Sequence, residues 1–197
     1  MKKGLGVLLI VLGLIAAVGL ISVGTYNGLV AGEEKVKSAW AQVENVYQRR
    51  LDLIPNLVET VKGVADFEKS TLTGVVEARS KISQMNISPA IINDPAALQK
   101  FQAAQGELSG ALSRLMVVIE RYPELKANQN FLALQSQLEG TENRITVERM
   151  RFNDAAREFN TMRRVFPSVI VANLTGFKEK AYFQADQAAA KAPLVKF

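Results

Sequence analysis

Apolar positions are continuous near the N-terminus and recur every three or four residues from about residue 33 onward. Residues 4 to 24, GLGVLLIVLGLIAAVGLISVG, contain no charge and follow Lys2 and Lys3. At about 1.5 Å per residue this run is roughly 30 Å long, the thickness of a bilayer's hydrocarbon core. It predicts a helix that crosses a membrane once. A cleaved signal peptide is the rival reading, with Ser22-Val23-Gly24 as a poor small-x-small site. The run is longer than a usual signal core, and helical patterning resumes soon after it. Lys2, Lys3 and the amino terminus favour a cytoplasmic N-terminus by the positive-inside rule, although Lys35, Lys37, Arg49 and Arg50 follow the span. The resulting expectation is a single-pass membrane protein with an extracytoplasmic C-terminal domain.

Behind the span the period is helical throughout. Val36, Trp40, Val43, Tyr47, Arg50 and Ile54 form one stripe, and Leu57, Val61, Val64, Phe67, Leu72, Val75, Ala78, Ile82 and Met85 continue it beyond Pro55. A proline inside a helix costs roughly 3 kcal/mol, whereas one in the first turn costs little. Pro55 is therefore read as a corner that opens a second helix, with Asp52 capping nearby amides and Arg49 and Arg50 on the last carbonyls of the first. A kinked continuous helix keeps the same stripe and is the alternative. After NISPAIINDPAA, Asp94-Pro95 reads as an N-cap followed by a first-turn proline. A third helix carries Leu98, Phe101, Gln105, Leu108, Leu112, Leu115 and Ile119, and stops where Tyr122 precedes Pro123. The fourth runs from about 124 to 165, with a short helix over 168 to 177 behind Phe166-Pro167. No strand-like alternation is present. The pattern predicts an all-α fold: an N-terminal transmembrane helix, then an antiparallel up-and-down bundle of long helices. Its divisions are anchor and juxtamembrane segment over 1–31, bundle over 32–178 and tail over 179–197.

Composition narrows the chemistry. The 197 residues include no cysteine and no histidine, which removes disulfides, thiolate sites, Ser-His and Cys-His pairs and most zinc sites. A net charge of +5 is modest and its signs are interleaved. The fourth helix is rich in arginine, but acids lie three and four residues away, as on a solvated or intrabundle surface; nucleic acid is not an expected partner. Glu142, Asn143, Arg149, Asn153 and Asn160 fall on or near its apolar stripe and read as packing and register residues. In that reading Arg149 pairs with Glu142, Glu148 or a carboxylate of another helix. Carboxylates with no histidine, metal motif or positioned nucleophile do not suggest catalysis, and no cofactor is implied. Trp40, Tyr47 and Phe67 read as core aromatics before a ligand cleft. Arg50, Pro55 and Asn56 at the corner, and Pro167 before the last helix, complete the structural candidates. The terminus APLVKF has an apolar end, and Val195 and Phe197 are candidates for docking on a partner or a neighbouring protomer.

Three segments resemble the LemA family of bacterial membrane-anchored proteins: YNGLVAGEEKVKSAWAQVENVYQRRLDLIPNLVETVKG, RYPELKANQNFLALQSQLEGTENRITVERMRFNDAAREFN and RRVFPSVIVANLTGFKEKAYF. The similarity covers roughly residues 26 to 197 and is weaker over 86 to 100. The resemblance implies an N-terminal span followed by a bundle of long helices, and it brings no enzymatic activity. The expectation is thus a non-enzymatic, membrane-anchored scaffold or adaptor of the bacterial envelope. It meets the bilayer through residues 4–24, self-associates, and serves a protein partner that the sequence does not name. A lipid- or small-molecule-binding sensor bundle is the alternative.

Overall fold

A computed structural model describes residues 2–63, 68–85 and 87–184. Among them are six helices and no strand: α1 (Lys2–Lys62), α2 (Lys69–Ser83), α3 (Pro95–Ile119), α4 (Pro123–Lys126), α5 (Gln129–Arg164) and α6 (Ser168–Thr175), with a 3₁₀ turn over Pro89–Asn93. The N-terminal part of α1 is long and apolar enough to cross a membrane. From about residue 25 the chain runs up, down, up and down through α1, α2, α3 and α5, so the bundle is antiparallel as expected. Val64, Phe67, Val195 and Phe197 lie outside the described residues.

The corner at Pro55 is corrected. α1 is one helix of 61 residues with Pro55 in its interior, about 90 Å long. Proline cannot donate to the carbonyl four residues back, so the Leu51 carbonyl loses its helical partner. Arg79 of α2 supplies the missing donor, its Nε lying 3.1 Å from Leu51 O. Asp52 does not cap amides; it accepts a 2.7 Å hydrogen bond from Gln48 Nε2. Arg49 and Asn56 are exposed, whereas Arg50 is buried among α1, α3 and α5. The alternative retained for this stretch, a continuous helix, is the observed one, and the chain reverses after Lys62 instead.

The other helix ends obey local chemistry. Asp94 caps α3 through Ala96 N and Ala97 N at 2.9 and 3.1 Å, with Pro95 behind it. Tyr122, pushed out of helical geometry by Pro123, leads into the single turn α4. Asn128 then caps α5 through Asn130 N and Phe131 N, so the long fourth helix starts later than its stripe suggests. Gly176 ends α6 in the left-handed region at φ 80°, and its amide and that of Phe177 both reach Ala172 O.

α2 is far shorter than α5, and this divides the core in two. The distal half packs Ile54, Leu57 and Val61 of α1 against Val75 and Ile82 of α2, Leu108 and Leu115 of α3, and Phe131 and Leu138 of α5. In the proximal half α2 is absent. Its place is taken by the 3₁₀ turn, through Ile91 and Ile92, and by an extended strap, residues 177–184, through Ala181 and Phe183. Trp40 fills the centre there, edge-on to Phe101 and Phe152 at 5.9 and 5.5 Å and stacked on Phe183 at 6.0 Å. Nearer the span, α5 closes on two glycines of α1. A Cβ on Gly32 would stand 3.2 Å from Phe159, and one on Gly28 3.9 Å from Met162 Sδ.

A double-mutant cycle tests the joint at Pro55. Arg79→Ala leaves Leu51 O without a donor and should cost about 1–2 kcal/mol in urea unfolding of the detergent-solubilised chain. In a Pro55→Ala background the restored backbone N–H serves that carbonyl, so most of the Arg79 cost should disappear. Equal costs in both backgrounds would refute the assignment.

Candidate functional site

Extended chain buried outside a sheet must find partners for its backbone groups, since each unpaired one costs free energy. The strap finds them on side chains. Asn160 accepts from Lys180 N at 2.8 Å and donates to Lys180 O at 2.9 Å and to Tyr182 Oη at 2.8 Å. Asn153 repeats the arrangement on Phe183, with 2.9 and 3.0 Å bonds. Gln102 of α3 does so on Gln184, at 3.1 and 2.7 Å. Arg163 Nε holds Phe177 O, Arg149 Nη2 holds Gln184 O, and Ala181 N donates to Ile92 O.

The spacing explains why two asparagines suffice. Asn153 and Asn160 are seven residues apart on α5, about 10.5 Å along the helix and on one face. Their partners Phe183 and Lys180 are three apart in extended chain, about 10 Å. The strap therefore lies antiparallel on α5 with matching repeats. An amide side chain, both donor and acceptor, imitates a neighbouring strand.

Lys180 locks the strap to the base of α1. Its buried ammonium pairs with Glu33, donates to Asn93 Oδ1 at 2.8 Å and lies 4.9 Å from the Phe159 ring centroid. Burial alone pushes the Glu33 carboxyl up, but the hydrogen bond and charge of Lys180, with Lys37 beside it, outweigh burial and hold it below its ordinary value.

A second polar cluster separates the two core halves. Arg50 Nη1 donates to Glu142 at 2.7 Å and to Ser109 Oγ at 2.9 Å, Nη2 bonds the Gln105 side chain, and the guanidinium lies 5.2 Å from the Tyr47 ring centroid. Burial raises the Tyr47 phenol above its usual value. Arg50 Nε and Gln105 Nε2 have no hydrogen-bond partner, so part of the layer's polar capacity is left unmet.

The expected pairing of Arg149 with a carboxylate is corrected: it holds the strap carbonyl and stands 4.8 Å over the Phe183 ring. Glu142 belongs to Arg50 instead, while Glu148 and Asp154 pair with Arg151 and Arg157 at 2.7 and 2.8 Å. Asn143 is exposed, and Pro167 starts α6 after a cis peptide bond. Trp40 and Tyr47 are core. The strap itself, with Lys180, Gln102 and Glu33, was missed by periodicity because extended backbone carries no helical stripe. Its last six residues, 179–184, were assigned to the tail, yet Lys180, Ala181 and Phe183 are buried. A cleft of 550 Å³ runs between the strap and α3, lined by Asn93, Gln99, Gln102, Lys178 and Tyr182. Among the described residues no cluster of acids could hold a metal ion.

The LemA family sequence model matches residues 39–197, which takes in the buried arginine, both clamping asparagines and the strap. The chain belongs to the LemA family. It is 27% identical over 186 residues to the magnetosome protein MamQ of Magnetospirillum gryphiswaldense, a match covering 86% of this chain and 68% of that protein. MamQ 2 of Paramagnetospirillum magneticum matches at the same identity and coverage. Protein LemA of Metamycoplasma hominis is 24% identical over 167 residues, covering 85% of this chain and 72% of its own.

Asn160→Ala leaves Lys180 N–H without its acceptor and Lys180 O without its donor, and should cost about 1–3 kcal/mol. Trp40, the sole tryptophan, stacks on Phe183 and so reports strap detachment by its fluorescence. Amide exchange at Lys180 and Phe183 should accelerate in this variant while the distal core stays protected. If strap and distal core lose protection together, the strap is not a separate unit.

The lowered Glu33 pKa gives a pH dependence of known sign. A carboxyl depressed on folding stabilises above its unfolded value, 4.5, and loses that contribution as pH falls through the lower folded value. Unfolding midpoints should drop below pH 4.5, and Glu33→Gln should be less stable at neutral pH with a flatter acid limb. An unchanged limb would show that Glu33 does not carry it.

Proposed function

We propose that this LemA-family protein is a non-enzymatic, membrane-anchored scaffold of the bacterial envelope. The observation that carries the reading is α1: one unbroken helix supplies both the apolar N-terminal run and the central bundle helix. With no linker between them, the domain is held at a fixed distance from the span and in line with it, which suits a protein that presents a surface rather than one that turns over a substrate. The polar residues of the bundle support this. Glu142, Glu148 and Asp154 are each paired with an arginine, and the asparagines are spent on the strap. Relatives named as magnetosome proteins and as LemA agree with a membrane setting. The domain is extracytoplasmic in this proposal, and the protein works as a homo-oligomer that docks a further protein.

The absence of cysteine makes the test direct. Val117→Cys, on an exposed position of α3, should be labelled in intact cells by a membrane-impermeant maleimide. Labelling only after lysis would place the domain in the cytoplasm. Extraction into native nanodiscs should give a mass of more than one chain, and a single chain per disc would remove self-association.

A further inference from the structure

α6 is apolar on two sides. Ala172 is buried on the bundle, yet Ile170 and Leu174, four residues apart on one face of α6, are 52% and 82% exposed, and Phe166, in the turn just before the helix, is 80% exposed. A helix that is apolar towards the core and also away from it requires a second apolar environment.

The position of α6 identifies that environment. α5 descends towards the N-terminal span, with Phe159 against Gly32 and Met162 against Gly28. α6 follows at the bottom of this descent. Its two ends are tied at one level, because Arg163, just before it, holds the carbonyl of Phe177, just after it. The Phe177 ring in turn lies 5.8 Å from Tyr26 of α1. α6 therefore closes the end of the bundle that faces the span. Counted along α1 from Gly24, the last residue of the span read over 4–24, Tyr26 is about 3 Å and Gly28 about 6 Å further on. The headgroup layer of one leaflet is roughly 5–8 Å thick, so α6 sits at its level. Exposed Arg164 and Lys178 flank the helix and suit anionic headgroups, and half-exposed Tyr26 is an aromatic at the same height.

We propose that α6 is an interfacial helix, its Ile170–Leu174 face and the Phe166 side chain just before it embedded in the leaflet from which α1 emerges. This rests on the reading of residues 4–24 as a membrane span. The protein would then touch the bilayer twice, once by crossing it and once by lying in its surface, and the second contact prevents α1 from tilting freely.

The test uses the full chain in vesicles of phosphatidylcholine and phosphatidylglycerol, with the environment-sensitive fluorophore NBD on single introduced cysteines. Leu174→Cys and Phe166→Cys report α6, Leu12→Cys the middle of the span, and Val117→Cys an exposed site on the distal bundle. Nitroxide-bearing lipids should quench the Leu174→Cys and Phe166→Cys labels to roughly half the extent seen at Leu12→Cys or more, while aqueous iodide quenches them several-fold less than at Val117→Cys. Iodide quenching of the α6 labels equal to that at Val117→Cys would overturn the proposal. So would protection from iodide without nitroxide quenching, which would mean cover by a second chain. If Leu12→Cys is itself open to iodide, the span reading has failed; if only the α6 labels are open, the span stands and the interfacial helix falls.

Discussion

The hydrogen-bond ladder of α1 loses one rung at Pro55, and the helix does not break. An unpartnered carbonyl would be the natural point for bending or fraying, because water or a neighbouring side chain must enter the ladder there. Here the entering group is the Arg79 guanidinium, carried by the next helix of the bundle. Leu51, whose carbonyl is at issue, buries its side chain in the distal core, and Arg50 beside it bonds both α3 and α5. The same turn of α1 thus fixes where α2 docks, how α3 and α5 are set against α1, and where the two core halves meet. Proline acts less as a defect in this helix than as a specified acceptor for its partner.

At the other end of the bundle the problem is opposite: too few helices rather than one too irregular. Closing a core with extended chain exposes peptide groups that a helix would satisfy by itself. Asn153, Asn160 and Gln102 meet that need with the two-sided hydrogen bonding of carboxamides, and Lys180 anchors the strap electrostatically at its root. Aspartate in the same places would accept but not donate, and the carbonyl half of each pair would be lost. The choice of amides over acids on α5 is therefore a backbone requirement.

Much of this architecture was legible from pattern. The span, the bundle class, the Asp94-Pro95 start of α3 and the core roles of Trp40 and Tyr47 follow from periodicity and capping chemistry. Pro55 was misread because local cost argued for a corner, and only the tertiary partner Arg79, 28 residues beyond the Leu51 carbonyl it serves, reverses that balance. Arg149 was given the wrong partner for a related reason. A guanidinium is satisfied equally by a carboxylate or by a carbonyl over an aromatic ring, and sequence distance does not say which is near. The strap escaped because its signals are a buried lysine and single aromatics, which look like the start of a tail. Asn153 and Asn160 were recognised as polar residues in need of partners, although their partner was not.

The continuity of α1 has a consequence for direction as well as distance. Each helical residue advances about 1.5 Å and turns about 100° around the axis. In a helix that is both anchor and bundle member, the number of residues between the apolar segment 4–24 and Gly28 sets the heading of the whole domain relative to the faces of the span. Adding or removing one residue there would barely change the domain's height, yet it would swing every exposed face through more than a quarter of a circle. Heading, a property usually left to loops and neighbours, is in this chain written as a residue count.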